Sequence, residues 1–193
     1  ESTVGRFACV LGYDGYPKLQ KHLQEIIKNR LTTVQRLNLM EGMSAEKIVD
    51  TVLKMEINNL KTTRANLDIK LFEKAVDYIV NAKKIYVTHD TTDIYAQLVH
   101  ADEHSVVIGM GFPRYSNQTV DGLRFAKKRG AKIITLTDNA ISPLYSLADI
   151  CILTKSDMNS FVDSLVAPLS IINALIIMIG LAKKDHLLEN FSV

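Results

Sequence analysis

Four short runs rich in β-branched residues, Ile85–Val87, Val106–Ile108, Ile133–Leu136 and Ile150–Leu153, alternate with helical stretches along the second half of the chain. No other feature restricts the fold as much. Successive strands separated by helices need crossover connections, and crossovers make a parallel sheet with helices on both faces. The clearest intervening helix is Gln118–Arg129, which Gly130 closes. An α/β architecture is therefore expected. Ligands in such sheets bind outside the carboxyl ends of the strands, so the loops after Val87, Ile108 and Thr137 are the places to look.

The preceding eighty or so residues read as helices. Ser2–Leu11 carries Val4, Phe7, Ala8 and Leu11 on one face, and Gly12 can end it. A turn at Tyr13–Pro17 leads to a stripe of Leu19, Leu23, Ile26, Ile27, Leu31 and Val34. Two helices at a tight glycine turn suit a small DNA-binding unit, although many helical hairpins share that pattern. Ser44 is expected to cap a helix holding Ile48, Val49, Val52, Leu53, Ile57 and Leu60, and Asp68 another holding Ile69, Phe72, Val76, Ile79 and Val80. The polar run Asn58–Asn66 is expected to straddle the end of the first of these two helices.

Length and charge add bounds. A chain of 193 residues supports one main domain and a minor one. The net charge of +2 neither demands nor excludes nucleic acid. It is unevenly spread: Arg6, Lys18, Lys21, Lys28, Arg30 and Arg36 face only Asp14 and Glu25, and a basic end suits an anionic partner. Cys9 and Cys151 lie in apolar stretches and are expected as buried, reduced thiols of a cytoplasmic protein. Val166–Ala182 contains Pro168, Ser170, Asn173 and Gly180 and is short for a membrane span, so a buried helix is expected. The longer stretch Phe161–Leu181 is too hydrophobic for one exposed face, which makes it core or subunit interface. Glu1 falls inside a helical pattern, so further chain is expected before it.

The loop after Ile108 is the richest in chemistry. Gly109 and Gly111 would let the backbone approach a ligand, and Arg114 offers a planar donor fork for phosphate or carboxylate. Ser116, Asn117 and Thr119 stand where the next helix begins, so hydroxyls and backbone amides would converge on an anion there. The plainer reading is that Ser116 or Asn117 only caps the helix and Arg114 is solvated. His100 and His104, four apart, have a spacing that could hold a metal on a helix, against long odds. His89-Asp90 beside a strand end could suggest acid–base work.

Phe112–Ser116 followed by Thr119, then Lys127–Ile134, Thr137-Asp138, and Ser142-Pro143-Leu144 ahead of Leu147-Ala148-Asp149, resemble the SIS domain of the MurR/RpiR family of regulators. Phe161–Leu169, with Ser164 and Pro168, is similar to that family's final helix. At the front, Ser2-Thr3-Val4, Arg6-Phe7, Leu11-Gly12-Tyr13 and Gly15-Tyr16 resemble the recognition helix and following turn of its helix-turn-helix. The resemblance implies a flavodoxin-like, doubly wound SIS domain over residues 39–193, preceded by an all-helical helix-turn-helix remnant and linker over 1–38. It further implies a non-enzymatic regulator, homodimeric or homotetrameric, that binds operator DNA and a phosphorylated sugar effector, with no cofactor. Ser2, Thr3 and Arg6 would then lie on the major-groove face. Gly111, Arg114, Ser116, Asn117 and Thr119 would form the phosphate side of the effector site, and Asp138 could accept from sugar hydroxyls or simply form a turn. The alternatives are a phosphosugar isomerase on the same fold, or a sensor without DNA binding.

Two departures stand out. Many members have Ser where this chain has Gly111. The first strand is normally followed by a Ser-containing phosphate loop, a helix and a second strand, whereas Val106 here arrives soon after Val87. Either half the effector site is lost, or residues between Val87 and Asp93 are missing from the sequence.

Overall fold

In a computed structural model, the described residues are 3–20, 23, 33–88, 94–157 and 163–184. Their elements are α1 (Thr3–Val10), α2 (Thr33–Met40), α3 (Ala45–Asn66), α4 (Ile69–Asn81), β1 (Lys84–Thr88), α5 (Ile94–Leu98), β2 (Ser105–Met110), α6 (Asn117–Lys128), β3 (Lys132–Thr137), β4 (Ile150–Leu153) and α7 (Val166–Ala182). A short 3-10 turn, Tyr145–Leu147, lies between β3 and β4. The chain divides into two units, Glu1–Leu53 with Asp157–Asp163, and Lys54–Ser156 with Ser164–Val193.

All four β-rich runs form strands, parallel throughout and ordered β1-β2-β3-β4. The strand order runs one way across the sheet, and right-handed crossovers therefore put their connections on a single face. That face is covered by α5, α6 and the 3-10 turn region, with Ile94, Leu98, Val120, Leu123, Ala126 and Leu144 packed on Val107 and Ile133. The opposite face is covered by the helices that enter and leave the sheet. There, Phe72, Ala75, Val76 and Ile79 of α4 and Ile171 and Leu175 of α7 pack on Val106, Ile134, Leu136, Ile150 and Ile152. Helices cover both faces, as expected, although the crossovers themselves supply only one of the two layers.

Capping chemistry explains where several helices stop. Gly12, at φ +83°, ends α1: its N–H donates to the Cys9 carbonyl at 3.0 Å and the Tyr13 N–H to that of Ala8 at 3.0 Å. Ser44 Oγ accepts from the Lys47 N–H at 3.3 Å, and Asp68 Oδ1 from that of Leu71 at 3.1 Å. One expectation fails. The polar run Asn58–Asn66 does not straddle the connection to the next helix, because α3 continues through the whole of it and ends at Asn66. Asn59 and Thr63 are buried there, and tertiary partners override the low helix propensity of the run.

The first unit differs from its pattern. Of the expected stripe on α1 only Ala8 is buried, while Val4, Phe7 and Leu11 are exposed, Phe7 to 57%. Cys9 is exposed as well, which corrects its expected burial: it lies about 100° round the helix from Ala8. Cys151 is half-buried on β4, and burial raises its thiol pKa, with the neighbouring Thr135 side chain opposing the shift. No helix among the described residues is long and apolar enough to cross a membrane.

Candidate functional site at the carboxyl end of the sheet

The loop leaving β2 and entering α6 is shaped by packing first. A Cβ on Gly109 would stand 2.6 Å from Leu123 Cδ1, and one on Gly111 2.9 Å from Leu144 Cδ2. A side chain at either position would have to displace a buried leucine, and the Gly111 N–H donates to the Leu136 carbonyl at 3.1 Å. Arg114 is the one described non-glycine residue with positive φ, +76°, and its side chain is exposed. Such a conformation costs on the order of 1–3 kcal/mol and persists where the surroundings enforce it. Ser116 takes the N-cap position of α6 with extended backbone, yet its hydroxyl makes no capping bond to the helix. Asn117 is exposed in the first turn, and Thr119 is buried to 2%.

The loop after β3 is tied to this one through a residue that the sequence reading passed over. The Tyr115 hydroxyl donates to Asp138 Oδ1 at 2.6 Å, and Asn139 Nδ2 donates to the Tyr115 oxygen at 3.2 Å and to Asp138 Oδ2. Burial, reinforced by the Asp138 carboxylate, pushes the Tyr115 hydroxyl up to about 12. Asn139 Oδ1 accepts from the Ile141 N–H at 2.8 Å, so Asn139 makes the Asx turn and Asp138 braces the two loops. Thr137 Oγ1 lies 2.8 Å from Ser142 Oγ and 3.3 Å from Asp138 Oδ1. Ser142 Oγ also accepts from the Leu144 N–H at 3.2 Å, which orders the turn that carries Leu144 beneath Gly111. Tyr115 and Asp138 are 23 residues apart, and no local signal marks such a pair.

A third polar group lies where β4 leaves the sheet. The Thr154 N–H donates to the Thr137 carbonyl at 2.8 Å, and the Lys155 N–H to Thr63 Oγ1 of α3 at 2.8 Å. The Ser164 hydroxyl donates to Glu56 of α3, and that of Ser156 to the Ser164 carbonyl at 2.8 Å. Thr88 Oγ1 and Thr154 Oγ1, both buried at strand ends, have no hydrogen-bond partner among the described residues.

Five sequence-predicted ligand residues, Gly111, Arg114, Ser116, Asn117 and Thr119, thus share one loop–helix junction, with Asp138 joined to it through Tyr115. Thr3 and Arg6 are exposed on α1, while Ser2, His89, Asp90 and residues 91–93 lie outside the described residues. The histidine pair is separated from any helix, since α5 stops at Leu98 before His100. No group of three or more potential metal ligands occurs among the described residues.

Comparison with known proteins defines the class. The SIS domain family model matches residues 79–178, the sheet and most of its covering helices, and the chain belongs to that family. An HTH-type transcriptional regulator of Clostridium perfringens is 26% identical over 176 residues, 77% of this chain and 63% of that protein. The chain thus spans less than two thirds of that relative's length. Another, from Caldanaerobacter subterraneus subsp. tengcongensis, is 25% identical across 100% of this chain and 79% of its own. That alignment occupies 230 positions, more than this chain has residues, so the relative carries residues that this chain lacks. The sugar isomerase domain of an RpiR transcription factor from Sphaerobacter thermophilus has the same fold, with TM-score 0.68 at 21% identity over 72% of this chain and 93% of that one. The Vibrio vulnificus NanR protein, complexed with ManNAc-6P, aligns with TM-score 0.59 at 14% identity over 98% of this chain and 75% of its own.

Proposed function

We propose that this chain is the sensing core of a transcription regulator that binds operator DNA through its helical front and a phosphorylated sugar at the carboxyl end of its sheet. The observation that carries the reading is the junction of β2 with α6. There the exposed Arg114 takes a positive φ of +76°, and Ser116 stands at the N-cap position beside the N-terminal amides of α6. That arrangement suits a phosphate, which takes charge-assisted hydrogen bonds from a guanidinium, a hydroxyl and helix amides together. Gly111, Asn117 and Thr119 border the same anion, and Asp138 positions the loop through Tyr115 while facing the sugar side. Ser2, together with Thr3 and Arg6 of α1, contacts the operator. The protein acts as a cytoplasmic homodimer or homotetramer and is not an enzyme. A non-enzymatic role accords with Asp138, the carboxylate at this site, being already engaged by Tyr115 and Asn139.

The test is calorimetric titration of the full chain with a panel of hexose, pentose and N-acetylhexosamine 6-phosphates, paired with gel-shift assays on operator fragments. A micromolar binder that weakens or strengthens the gel shift is expected, and Ser116→Ala is expected to lower its affinity about tenfold, or about 1.4 kcal/mol. Turnover between ketose and aldose phosphates would replace the reading with an isomerase. Sugar-phosphate binding with no gel shift on any fragment would leave a sensor without DNA binding.

A further inference from the structure

Helix α3 belongs to both units of the chain, through Leu53 to the first and from Lys54 to the second. In the second unit its buried residues are Met55, Asn59 and Thr63, two of the three polar. A helix packed for stability alone would present apolar residues, as α4 does with Phe72, Ala75, Val76 and Ile79. Helix α3 instead turns Glu56, Asn59 and Thr63, at helical spacing, toward its neighbours, with Asn59 and Thr63 buried. Two of these three hold the segment that leaves β4: Thr63 accepts from the Lys155 N–H at 2.8 Å, and Glu56 accepts from the Ser164 hydroxyl.

The same segment is hydrogen-bonded to the candidate effector loops. Tyr115 donates to Asp138, and Asp138 follows Thr137 directly in the chain. The Thr137 carbonyl accepts from the Thr154 N–H at 2.8 Å, and the next N–H, that of Lys155, reaches Thr63. We propose that this chain of contacts, Asp138–Thr137–Thr154–Lys155–Thr63, couples the effector loops to α3 and makes α3 the helix through which effector binding is transmitted. The proposal rests on the reading of the carboxyl-end site given above and names its means of regulation.

Two further observations favour a joint that moves. Thr154 Oγ1 is buried beside it without a partner among the described residues, so an arrangement that satisfied this hydroxyl would compete with the present one. A groove of about 310 Å³, open to the surface, is lined by Leu60, Thr63, Arg64, Leu67, Ala167 and Ile171 among others. It gives side chains of this part of α3 room for a second packing. An effector shifts the joint only by binding its two arrangements unequally.

The experiment is hydrogen exchange by mass spectrometry on the full chain, read on peptides covering 54–66, with 69–81 of α4 as the internal control. Without ligand, Asp138→Asn is expected to change exchange in 54–66 at least threefold and to leave 69–81 unchanged. An unaltered 54–66 would overturn the coupling. The ligand arm uses N-acetylmannosamine 6-phosphate and fructose 6-phosphate, with binding measured separately by calorimetry. A bound probe is expected to shift exchange in 54–66. Thr63→Val is expected to abolish that shift while keeping the affinity within twofold, and Thr63→Ser to restore it. A probe that binds without moving 54–66 would overturn the coupling and leave the sensor reading standing. Failure of every sugar phosphate to bind would overturn the sensor reading, and the Asp138→Asn result would still decide the coupling.

Discussion

The two faces of the sheet are built differently. On the α6 face packing is tight at glycines: a Cβ on Gly122 of α6 would stand 2.4 Å from Ile94 Cδ1 of α5, and one on Gly109 of β2 2.6 Å from Leu123 Cδ1 of α6. On the α4 and α7 face the helices are more apolar than the sheet can cover. Helix α7 buries Ala167, Pro168, Ile171 and Leu175 but leaves Leu169, Ile176, Ile177 and Leu181 exposed, Ile177 to 62%. The second face thus carries an apolar surface of the kind that subunit interfaces use. Connectivity accounts for the difference, since the crossovers fill one face and only an entering and a leaving helix remain for the other.

Substitutions that distinguish the faces should differ in size. Leu123→Ala, which empties a fully buried site on the tight face, is expected to lower stability by about 2–5 kcal/mol in urea denaturation. A loss under about 1 kcal/mol would mean that α6 settles into the space and the packing is not tight. Gly109→Ala adds a methyl group against the same leucine and is expected to lose about 1–3 kcal/mol. Combining it with Leu123→Ala should recover part of that loss, because the two changes share one volume.

Tyr115, at the edge of the tight face, gives a smaller effect with a pH signature. Tyr115→Phe removes the hydrogen bond to Asp138 and is expected to lower stability at pH 7 by about 1 kcal/mol. An unfolded tyrosine ionises near 10, and Tyr115 in the fold at about 12. Its contribution is therefore full below about pH 10 and is lost as pH rises through 12, and the variant should lack that part of the decline. Identical pH profiles for variant and parent would remove the Tyr115–Asp138 brace as its cause. On the open face, Ile177→Ser is expected to change stability by no more than about 0.5 kcal/mol while weakening self-association in sedimentation. A large loss of stability without any change in association would show α7 to be packed within its own chain.

Much of the sheet was legible because its signals are local. Ile85–Val87, Val106–Ile108, Ile133–Leu136 and Ile150–Leu153 are β-rich runs between helices, and all four became strands. The caps at Ser44 and Asp68 were equally plain, each being a single side chain beside the amides it satisfies. The site was only half legible. Arg114, Ser116, Asn117 and Thr119 are neighbours in sequence and stay neighbours in space, but the part played by Tyr115 depends on Asp138 in another loop. Polar residues misled in both directions. Asn59 and Thr63 looked like a helix end and proved to be buried, while the apolar stripe of α1 is largely exposed.

The sequence by itself determined the class of fold, the direction of the strands and the ends of the sheet helices. Each follows from residues within a turn or two of one another, where periodicity and capping act. Only the tertiary structure decided that Gly109 and Gly111 serve leucines, that Asp138 braces Tyr115, and that the polar face of α3 grips the exit of β4. Those pairings join residues from 14 positions apart, Gly109 to Leu123, to 108 positions apart, Glu56 to Ser164. Nothing in the local chemistry of a glycine, an aspartate or a threonine says which distant surface the folded chain will bring against it.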